Sequence, residues 1–312
     1  MIDFFQFQRK NAQKTFLIIF QSIIIFAVIG YAIDRFYMKN QFPVMTLLAV
    51  IVATINSIIA YYHGDKLVLA SVKARLPDTS NLKEQQLVNI VQEMSIAAGI
   101  QPPHVYIMDE TSPNAFATGR DQNHASICVT TGLLDTMNRE ELQGVIAHEF
   151  GHIRNRDILT MTMVSAIVGA IVLLSDWARR TFFYSDTSGK RKSGKGSSSG
   201  LILLFLLVIS IIAPLIARIM ALAVSRSREY MADAASAEFT RNPLALASAL
   251  EKISKHYDHV VDRASTGTAH LFISDPKGSK LNDSESFFSE LFGTHPPIKK
   301  RIMILKQMAG VS

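Results

Sequence analysis

Long apolar stretches alternate with ordinary polar sequence along this chain. Residues 15–33 are 19 residues without a charge, and residues 42–62 form a second apolar stretch that ends in two tyrosines. A helix needs about 20 apolar residues to cross the hydrocarbon core of a bilayer, and tyrosines collect at the bilayer surface. Because only eight residues separate the two stretches, the pattern predicts a transmembrane hairpin within residues 1–63.

Two weaker apolar stretches follow at residues 158–174 and 201–217. Between them, residues 185–200 are rich in glycine, serine and lysine, a composition typical of a disordered linker. The pair predicts a second apolar helical hairpin over residues 158–217. The pattern leaves open whether this hairpin crosses the membrane or lies buried in the protein.

The polar remainder, residues 64–157 and 218–312, predicts two halves of one folded domain outside the lipid. Residues 82–100 have apolar positions at helical spacing. Residues 104–109 have the pattern of a strand, and residues 114–135 that of a hairpin of two short strands. A mixture of helices with a small sheet is therefore expected in this domain.

A further helix is expected to begin at Asn138, because two glutamates follow in its first turn, where the helix dipole favours acids. Between Arg139 and Leu174 the helical pattern is interrupted only by glycines, which are tolerated, so one continuous helix is predicted to run into the third apolar stretch. The expected fold class is a membrane α+β protein. It combines a mainly helical domain and a small β-sheet with the N-terminal transmembrane hairpin and the second apolar hairpin.

Charge and cysteine content limit the possible cellular compartments and binding partners. The chain of 312 residues has a net charge of +6 and a single cysteine, Cys128. One cysteine excludes an internal disulfide and favours a reducing compartment. The basic residues mostly flank apolar stretches and form no stripe interleaved with aromatics, so we assign them to the membrane surface and expect no nucleic-acid partner.

The helix predicted from Asn138 carries the sequence HEFGH, residues 148–152. His148 and His152 are four residues apart, so both lie on one helix face and can direct a ring nitrogen at one Zn²⁺. Glu149 lies beside such a metal, where a carboxylate can take a proton from water that the metal activates. The alternative for so short a motif is an exposed helix with two surface histidines.

A third ligand is available in the sequence SREYMADAAS, residues 227–236. Glu229 completes a set of two histidines and one glutamate, which leaves one coordination position open, as in catalytic zinc sites. Asp233 lies one helical turn further on and can accept the second N–H of a ligating histidine. For Glu229 taken alone, an exposed helical carboxylate is the alternative.

Four segments, PNAFATG, HEFGH, SREYMADAAS and THPPIKKR, occur in this order among the four apolar stretches. In this they resemble the HtpX-type membrane zinc metalloproteases, which are related to the CAAX prenyl proteases, and the resemblance covers nearly the whole chain. It implies a zincin-like (gluzincin) catalytic domain with one Zn²⁺ per chain. It also implies an endopeptidase of protein quality control and stress response, which degrades unfolded or damaged membrane proteins.

The same resemblance assigns roles to individual residues. It implies that His148, His152 and Glu229 are the metal ligands and that Glu149 is the base. His295 matches the family histidine that helps to hold the developing oxyanion, and Arg301 matches the arginine six residues after it. A histidine before two prolines can also simply end a loop.

The resemblance further implies that Asn114, Ala115 and Phe116 bind the substrate backbone. An edge strand offers unpaired N–H and C=O groups, to which an extended peptide can add. Such binding recognises the backbone of the substrate more than its side chains, and it therefore favours broad specificity. The alternative for Phe116 is a core aromatic.

The side of the membrane follows from connectivity and charge. Glu229 must reach the two histidines, so the chain between them crosses the bilayer twice or not at all. Basic residues near the N-terminus favour a cytosolic site, whereas six basic residues within 178–200 would then face outside if the second hairpin spans. The lack of disulfide-capable cysteines and the resemblance favour a multi-pass protein of the cell membrane with a cytoplasmic active site.

Two other functions stay open at this point. One is a processing peptidase with a defined membrane or lipidated substrate, although four apolar stretches cannot enclose the chamber of the prenyl proteases. The other is a non-catalytic adaptor with structural zinc, although structural sites usually close with four protein ligands. The sequence does not indicate an oligomeric state.

Overall fold

The computed structural model describes residues 4–35, 42–169, 226–255, 271–273 and 296–311. Within these ranges the chain is mainly helical and contains one small sheet, as the sequence predicts. In chain order the elements are α1 (Phe4–Ile33), α2 (Val44–Ser71), α3 (Leu82–Ala98), β1 (His104–Met108), β2 (Ala115–Gly119), β3 (Ala125–Thr130), α4 (Thr131–Thr136), α5 (Arg139–Arg154), α6 (Ile158–Gly169), α7 (Arg226–Thr240), α8 (Pro243–Lys255) and α9 (Ile298–Met308).

Helices α1 and α2 pack along each other as the N-terminal hairpin. In α2 the most apolar window has a mean hydropathy of 2.1, and only 17% of that window is buried. Among the described residues, α2 alone is long and apolar enough to cross a membrane, whereas α1 contains the shorter apolar stretch Thr15–Val28. Helix α2 continues to Ser71, nine residues beyond the predicted end of the second stretch.

The turn between these helices is fixed by a buried carboxylate. Asp34 accepts hydrogen bonds from the backbone N–H groups of Met45 (2.9 Å) and Thr46 (2.8 Å) and from the hydroxyl of Thr46 (2.7 Å). The first N–H groups of a helix have no partner within the helix, and the N-terminus attracts negative charge. Asp34, directly after α1, therefore provides hydrogen-bond acceptors for the first N–H groups of α2.

The sheet has the order β1-β3-β2, so β2 is an edge strand. Strand β1 runs parallel to β3, and β2 runs antiparallel to β3 with Phe116 opposite Cys128. The predicted hairpin is confirmed, except that residues 131–136 form the short helix α4. Gly119 closes the turn at φ +143°, where a Cβ would lie 2.2 Å from the carbonyl oxygen of His124.

Helix α5 is the centre of the domain, packed by α3, α7, α8 and β2. Its start is a complete capping box, in which the Asn138 side chain accepts the N–H of Glu141 and Glu141 accepts the N–H of Asn138, both at 2.9 Å. Glu141 also accepts bonds from Ser248 and Lys252 of α8, both at 2.6 Å. The predicted start of this helix is confirmed, and Glu141 joins it to the second half of the domain.

The prediction of one continuous helix over residues 139–174 is wrong. Helix α5 ends at Arg154, and Arg156 adopts a left-handed conformation (φ +57°). Asp157 then starts α6, where its carbonyl accepts the N–H of Met161 (3.2 Å). Aspartate and asparagine favour helix caps because their side chains compete for backbone groups, and the sequence Asn155-Arg156-Asp157 carries that signal.

Helix α6 lies against both the N-terminal hairpin and the sheet. The hydroxyl of Thr160 is 2.8 Å from that of Thr15 in α1, and the hydroxyl of Thr162 is 2.8 Å from that of Thr118 in β2. Gly64 lets α2 approach closely, since a Cβ there would lie 2.9 Å from the Thr162 methyl carbon. The linker 185–200 and the apolar stretch 201–217 lie outside the described residues, so the second hairpin stays a prediction.

Candidate metal centre

Two crossing helices bring the three predicted ligands together. Helix α5 presents His148 and His152 one turn apart, and α7 crosses it with Glu229 in its first turn. The crossing is close because Gly151 has no side chain: a Cβ there would lie 2.9 Å from the Cα of Ala232. A glycine between the histidines thus admits the helix that carries the third ligand.

The three candidate ligands are almost fully buried, with exposed fractions of 0%, 4% and 1% for His148, His152 and Glu229. Their donor atoms all lie within 4.8 Å of one another. The two Nε2 atoms are 3.2 Å apart, and they lie 3.8 and 3.7 Å from the Glu229 carboxylate oxygens. Ligand atoms about 2.1 Å from a tetrahedral Zn²⁺ are roughly 3.4 Å apart, so this spacing fits a zinc site.

Each histidine is oriented by a carboxylate on its far side. Nδ1 of His148 lies 2.9 Å from Asp233, and Nδ1 of His152 lies 3.2 Å from Asp157. A carboxylate that accepts the Nδ1 proton leaves Nε2 unprotonated in the neutral ring and available to a metal. Asp233 takes the place expected of it, whereas Asp157 was not predicted. The acid five residues after His152 was the signal available in the sequence.

Arg301 joins these groups from α9. It is fully buried and donates two hydrogen bonds to Asp233, at 2.9 and 2.7 Å. Its Nη1 lies 3.5 Å from Glu229 and donates to the backbone carbonyl of Ile273 at 3.1 Å. The guanidinium therefore holds the partner of one candidate ligand and reaches a second.

The charges around the site fit a divalent cation. Four carboxyl groups are buried here, those of Glu149, Asp157, Glu229 and Asp233, and two guanidinium groups, those of Arg228 and Arg301, lie near them. When all four acids are ionised and both histidines are neutral, as metal binding requires, the buried groups carry two negative charges in excess. Buried charge is costly unless it is compensated, and a dication at the three ligands compensates it.

Glu149 lies beside the ligands and contacts the sheet. The backbone N–H of Ala117 in β2 is close enough to the Glu149 carboxylate to favour the ionised form. Burial raises the pKa of Glu149 to about 7, with a further increase from Glu229 that His152, Ala117 and Arg301 partly offset. A nearby dication lowers this pKa again, so the group can take and return a proton near neutral pH.

His152 has the opposite balance. Burial lowers its pKa, but the adjacent Asp157 outweighs that effect and raises the pKa to about 9. A metal needs the neutral ring, so binding at neutral pH displaces a proton from His152.

Strand β2 passes directly by this cluster. Of the predicted substrate-binding residues, Ala115 and Phe116 lie in this edge strand, and Asn114 directly precedes it. The backbone of Ala117, the next residue, is close enough to Glu149 to lower the pKa of its carboxyl group. The Phe116 side chain is 1% exposed and packs edge-to-face on Phe272, so it is a core aromatic. Any recognition of substrate at this position falls to the backbone of β2.

His295 lies outside the described residues, so its role stays a prediction. Arg228, directly before Glu229, was not predicted. Burial lowers its pKa, and Asp157 and Glu229 counteract that effect, so its guanidinium is within electrostatic reach of both.

Two histidines and a glutamate from crossing helices, with a buried carboxyl group beside them, define a metallopeptidase site. The sequence model of peptidase family M48 matches residues 81–309, and the chain belongs to this family. Among similar sequences is a "Protease HtpX homolog" of Thermoanaerobacter pseudethanolicus, 47% identical with 97% of each chain covered. Another so named, from Caldanaerobacter subterraneus subsp. tengcongensis, is 48% identical, with 97% of each chain covered.

The resemblance to HtpX-type proteases is thereby confirmed, and the chain is a membrane metalloprotease. A solved structure, the crystal structure of S. mikatae Ste24p, superposes with a TM-score of 0.50 at 16% sequence identity. The match covers 96% of this chain and 66% of that chain. At this identity the likeness concerns the fold alone.

Proposed function

We propose that this chain is a zinc-dependent endopeptidase at the membrane surface that cleaves misfolded or damaged membrane proteins. The observation that carries the proposal is the buried cluster of His148, His152 and Glu229 with Glu149 beside it. Two histidines and one carboxylate leave a coordination position open, which suits catalysis, whereas structural zinc sites are closed by four protein ligands.

Zinc, when bound, supplies Lewis acidity that polarises the scissile carbonyl and acidifies water. Glu149, which is buried beside the three candidate ligands, would take the proton of the attacking water and return it to the leaving amine. Arg301 can donate to a substrate carbonyl, as it does to that of Ile273. His295 would add a donor to the developing oxyanion, a contribution of about 3–4 kcal/mol to the barrier.

The substrate would bind as an extended chain along β2. Backbone hydrogen bonds then supply much of the affinity, and side chains contribute less. This mode accepts many sequences in an extended conformation, a property of unfolded segments and not of intact folds. It therefore supports a role in quality control over one in processing a single defined substrate.

The helices attached to the site support a location at the membrane surface. Asp157, the partner of His152, starts α6, and α6 packs on the apolar hairpin through Thr160. We place the active site near the head groups on the cytoplasmic side of a multi-pass protein. There it meets loops and partly extracted segments of membrane proteins.

Replacing Glu149 with glutamine tests the chemistry. Purified wild type and Glu149→Gln should each bind about one zinc. Only the wild type should cleave unfolded casein, with a rate at least about 100-fold above the variant, since a positioned general base contributes about 10²–10⁴-fold. Glu140→Gln changes an exposed glutamate on the same helix and should leave cleavage unchanged.

The substrate class needs a second comparison. A membrane protein reconstituted with the enzyme in folded form should resist cleavage, and a destabilised variant of the same protein should be cut. If zinc is bound but neither casein nor the destabilised protein is cleaved, a processing peptidase or an adaptor becomes the better explanation.

A further inference from the structure

Three residues of the chain itself lie on the edge of β2 beside the metal centre. Leu271, Phe272 and Ile273, called the strap below, have exposed fractions of 3%, 0% and 2%. The backbone N–H of Ile273 donates to the carbonyl of Ala115 at 3.0 Å, and the carbonyl of Ile273 accepts from Arg301 at 3.1 Å. Both backbone groups of Ile273 are thus held, one by the strand and one by the buried guanidinium.

Ala115 belongs to the outward-facing edge of β2. Two residues further on, the N–H of Ala117 is close enough to Glu149 to lower the pKa of its carboxyl group, and the N–H of Gly119 donates to Thr162 at 3.0 Å. Alternate residues of a strand direct their hydrogen-bonding groups to the same side. Ile273 therefore binds the same edge of β2 that faces Glu149, and it does so two residues before Ala117.

The arginine that holds the strap also belongs to the metal centre. Nη1 of Arg301, which donates to Ile273, lies 3.5 Å from the carboxylate of Glu229. The same side chain holds Asp233, the partner of His148. An extended peptide bound to both Ala115 and Arg301 would lie next to the reacting groups, and the strap already makes both contacts.

The strap side chains strengthen this attachment. The Phe272 ring packs on Phe116 with the centroids 5.0 Å apart at 68°, within a cluster that includes Met108 and Met161. The side chain of Ile273 joins the main core cluster with Ala115. Two apolar side chains on opposite sides of the strap are therefore buried together with its backbone contacts.

We propose that the strap occupies the substrate site in cis and must leave the edge of β2 before a substrate can bind. The reason is steric, since the Ala115 carbonyl and Arg301 cannot give the same contacts to the strap and to a substrate chain at once. The proposal rests on the proposed function, because it assumes that substrate adds to this edge. Apparent affinity then falls by the fraction of molecules in which the edge is open.

Removing the Phe272 ring provides the first test, with full-length zinc-loaded protein in detergent. Phe272→Ala should raise kcat/KM for casein about tenfold or more, mainly through a lower KM, because the strap leaves the edge more often. Leu87→Ala is the matched control, since Leu87 is equally buried but lies in α3. It should lower the melting temperature without raising kcat/KM.

A peptide in trans supplies a second test that does not depend on how a variant folds. A synthetic peptide of residues 268–276, TAHLFISDP, should inhibit casein cleavage competitively, and more strongly in Phe272→Ala than in wild type. The same peptide with serine in place of the phenylalanine should inhibit at least several-fold more weakly.

The outcomes separate the strap from the proposed function. If wild type cleaves casein but Phe272→Ala retains zinc and gains no activity, and the peptide does not compete, the strap is a fixed wall of the site and the inference is wrong. If Phe272→Ala loses its fold, the peptide result on wild type decides. If wild type with bound zinc cleaves no substrate, the proposed function itself fails.

Discussion

Helices α5 and α2 distribute polarity in opposite ways. In α5 the charged Glu149 is 1% exposed and lies among other buried charged groups. In α2 the apolar side chains of Val52 and Ile55 are 55% and 51% exposed. One helix buries charge and the other exposes hydrocarbon, within the same chain.

The difference shows that each region is adapted to its own surroundings. Buried charges are tolerated in α5 because carboxylates and guanidiniums are paired, and a dication at the three candidate ligands would compensate the remainder. A continuous apolar surface on α2 is unfavourable in water and favourable in lipid. Each explanation can be tested by substitution.

The buried pair of Arg301 and Asp233 should show the largest effect. Arg301→Met leaves a buried carboxylate without its main partner and should lower the free energy of unfolding by about 3–5 kcal/mol. The double variant Arg301→Met/Asp233→Leu should recover part of this loss, since no unpaired carboxylate remains. Thermal unfolding in detergent measures both. Equal melting temperatures for the single variant and the wild type would show that the ion pair of Arg301 and Asp233 does not contribute to stability.

The apolar surface of α2 is tested by a matched pair of substitutions. Ile55→Lys places a charge near the middle of α2 and should disfavour membrane insertion by about 2.5–3.5 kcal/mol. Ile96→Lys makes the same change on α3, where Ile96 is 83% exposed, and should alter little. The fraction of protein that resists alkaline extraction from membranes is the measurement. If the two variants behave alike, α2 does not lie in lipid.

Asp157 tests how far the metal centre depends on the orientation of His152. Asp157→Asn should weaken zinc binding about 10–100-fold, because the ligand loses the carboxylate that fixes its ring. Competition with a chelator gives the affinity. Asp135→Asn, at an exposed carboxylate of α4, should leave zinc affinity unchanged. An unaltered affinity in Asp157→Asn would mean that His152 is held by packing alone.

The smallest effect is expected at Glu141, the glutamate of the capping box of α5. Burial raises its pKa, but Lys252, Ser248 and the N–H of Asn138 outweigh burial and hold the pKa below its usual range. The ionised form therefore stabilises the fold above about pH 4.3, and this contribution is lost as the pH falls through the lower pKa of the folded state.

Glu141→Gln should then cost about 1 kcal/mol at neutral pH, the usual value of a cap. The difference from wild type should shrink as the pH is lowered below about 4. Melting temperatures across this range give the result, with the exposed Glu140→Gln as control. A difference that stays constant with pH would show that the charge of Glu141 does not matter.

The parts of the fold that sequence could predict are local. The capping box at Asn138, the hairpin of β2 and β3, and the spacing of His148 and His152 each depend on residues a few positions apart. The prediction failed at Asp157, where a helix-cap signal lay inside an otherwise helical pattern.

The contacts that could not be predicted from the sequence join segments that are far apart in the chain. Arg301 and Asp233 are separated by 68 positions, and no periodic pattern links them. The resemblance placed Arg301 near the site but did not identify its partner. The hydrogen bond from Ile273 to Ala115 joins residues that are still further apart in the chain. It could not be predicted, because it depends on how the edge of β2 and Arg301 are placed in the fold.

Gly144 and Gly151 restrict how this sequence can vary. A methyl group at Gly144 would lie 2.8 Å from the backbone nitrogen of Leu246, and one at Gly151 would lie 2.9 Å from the Cα of Ala232. Both neighbours are backbone atoms, which cannot turn aside as a flexible side chain can. A larger residue at Gly151 therefore forces α7 outwards and carries Glu229 away from the histidines. Random drift or deliberate redesign can change the exposed face of α5 freely, but on the packed face even a single carbon atom would separate the ligands.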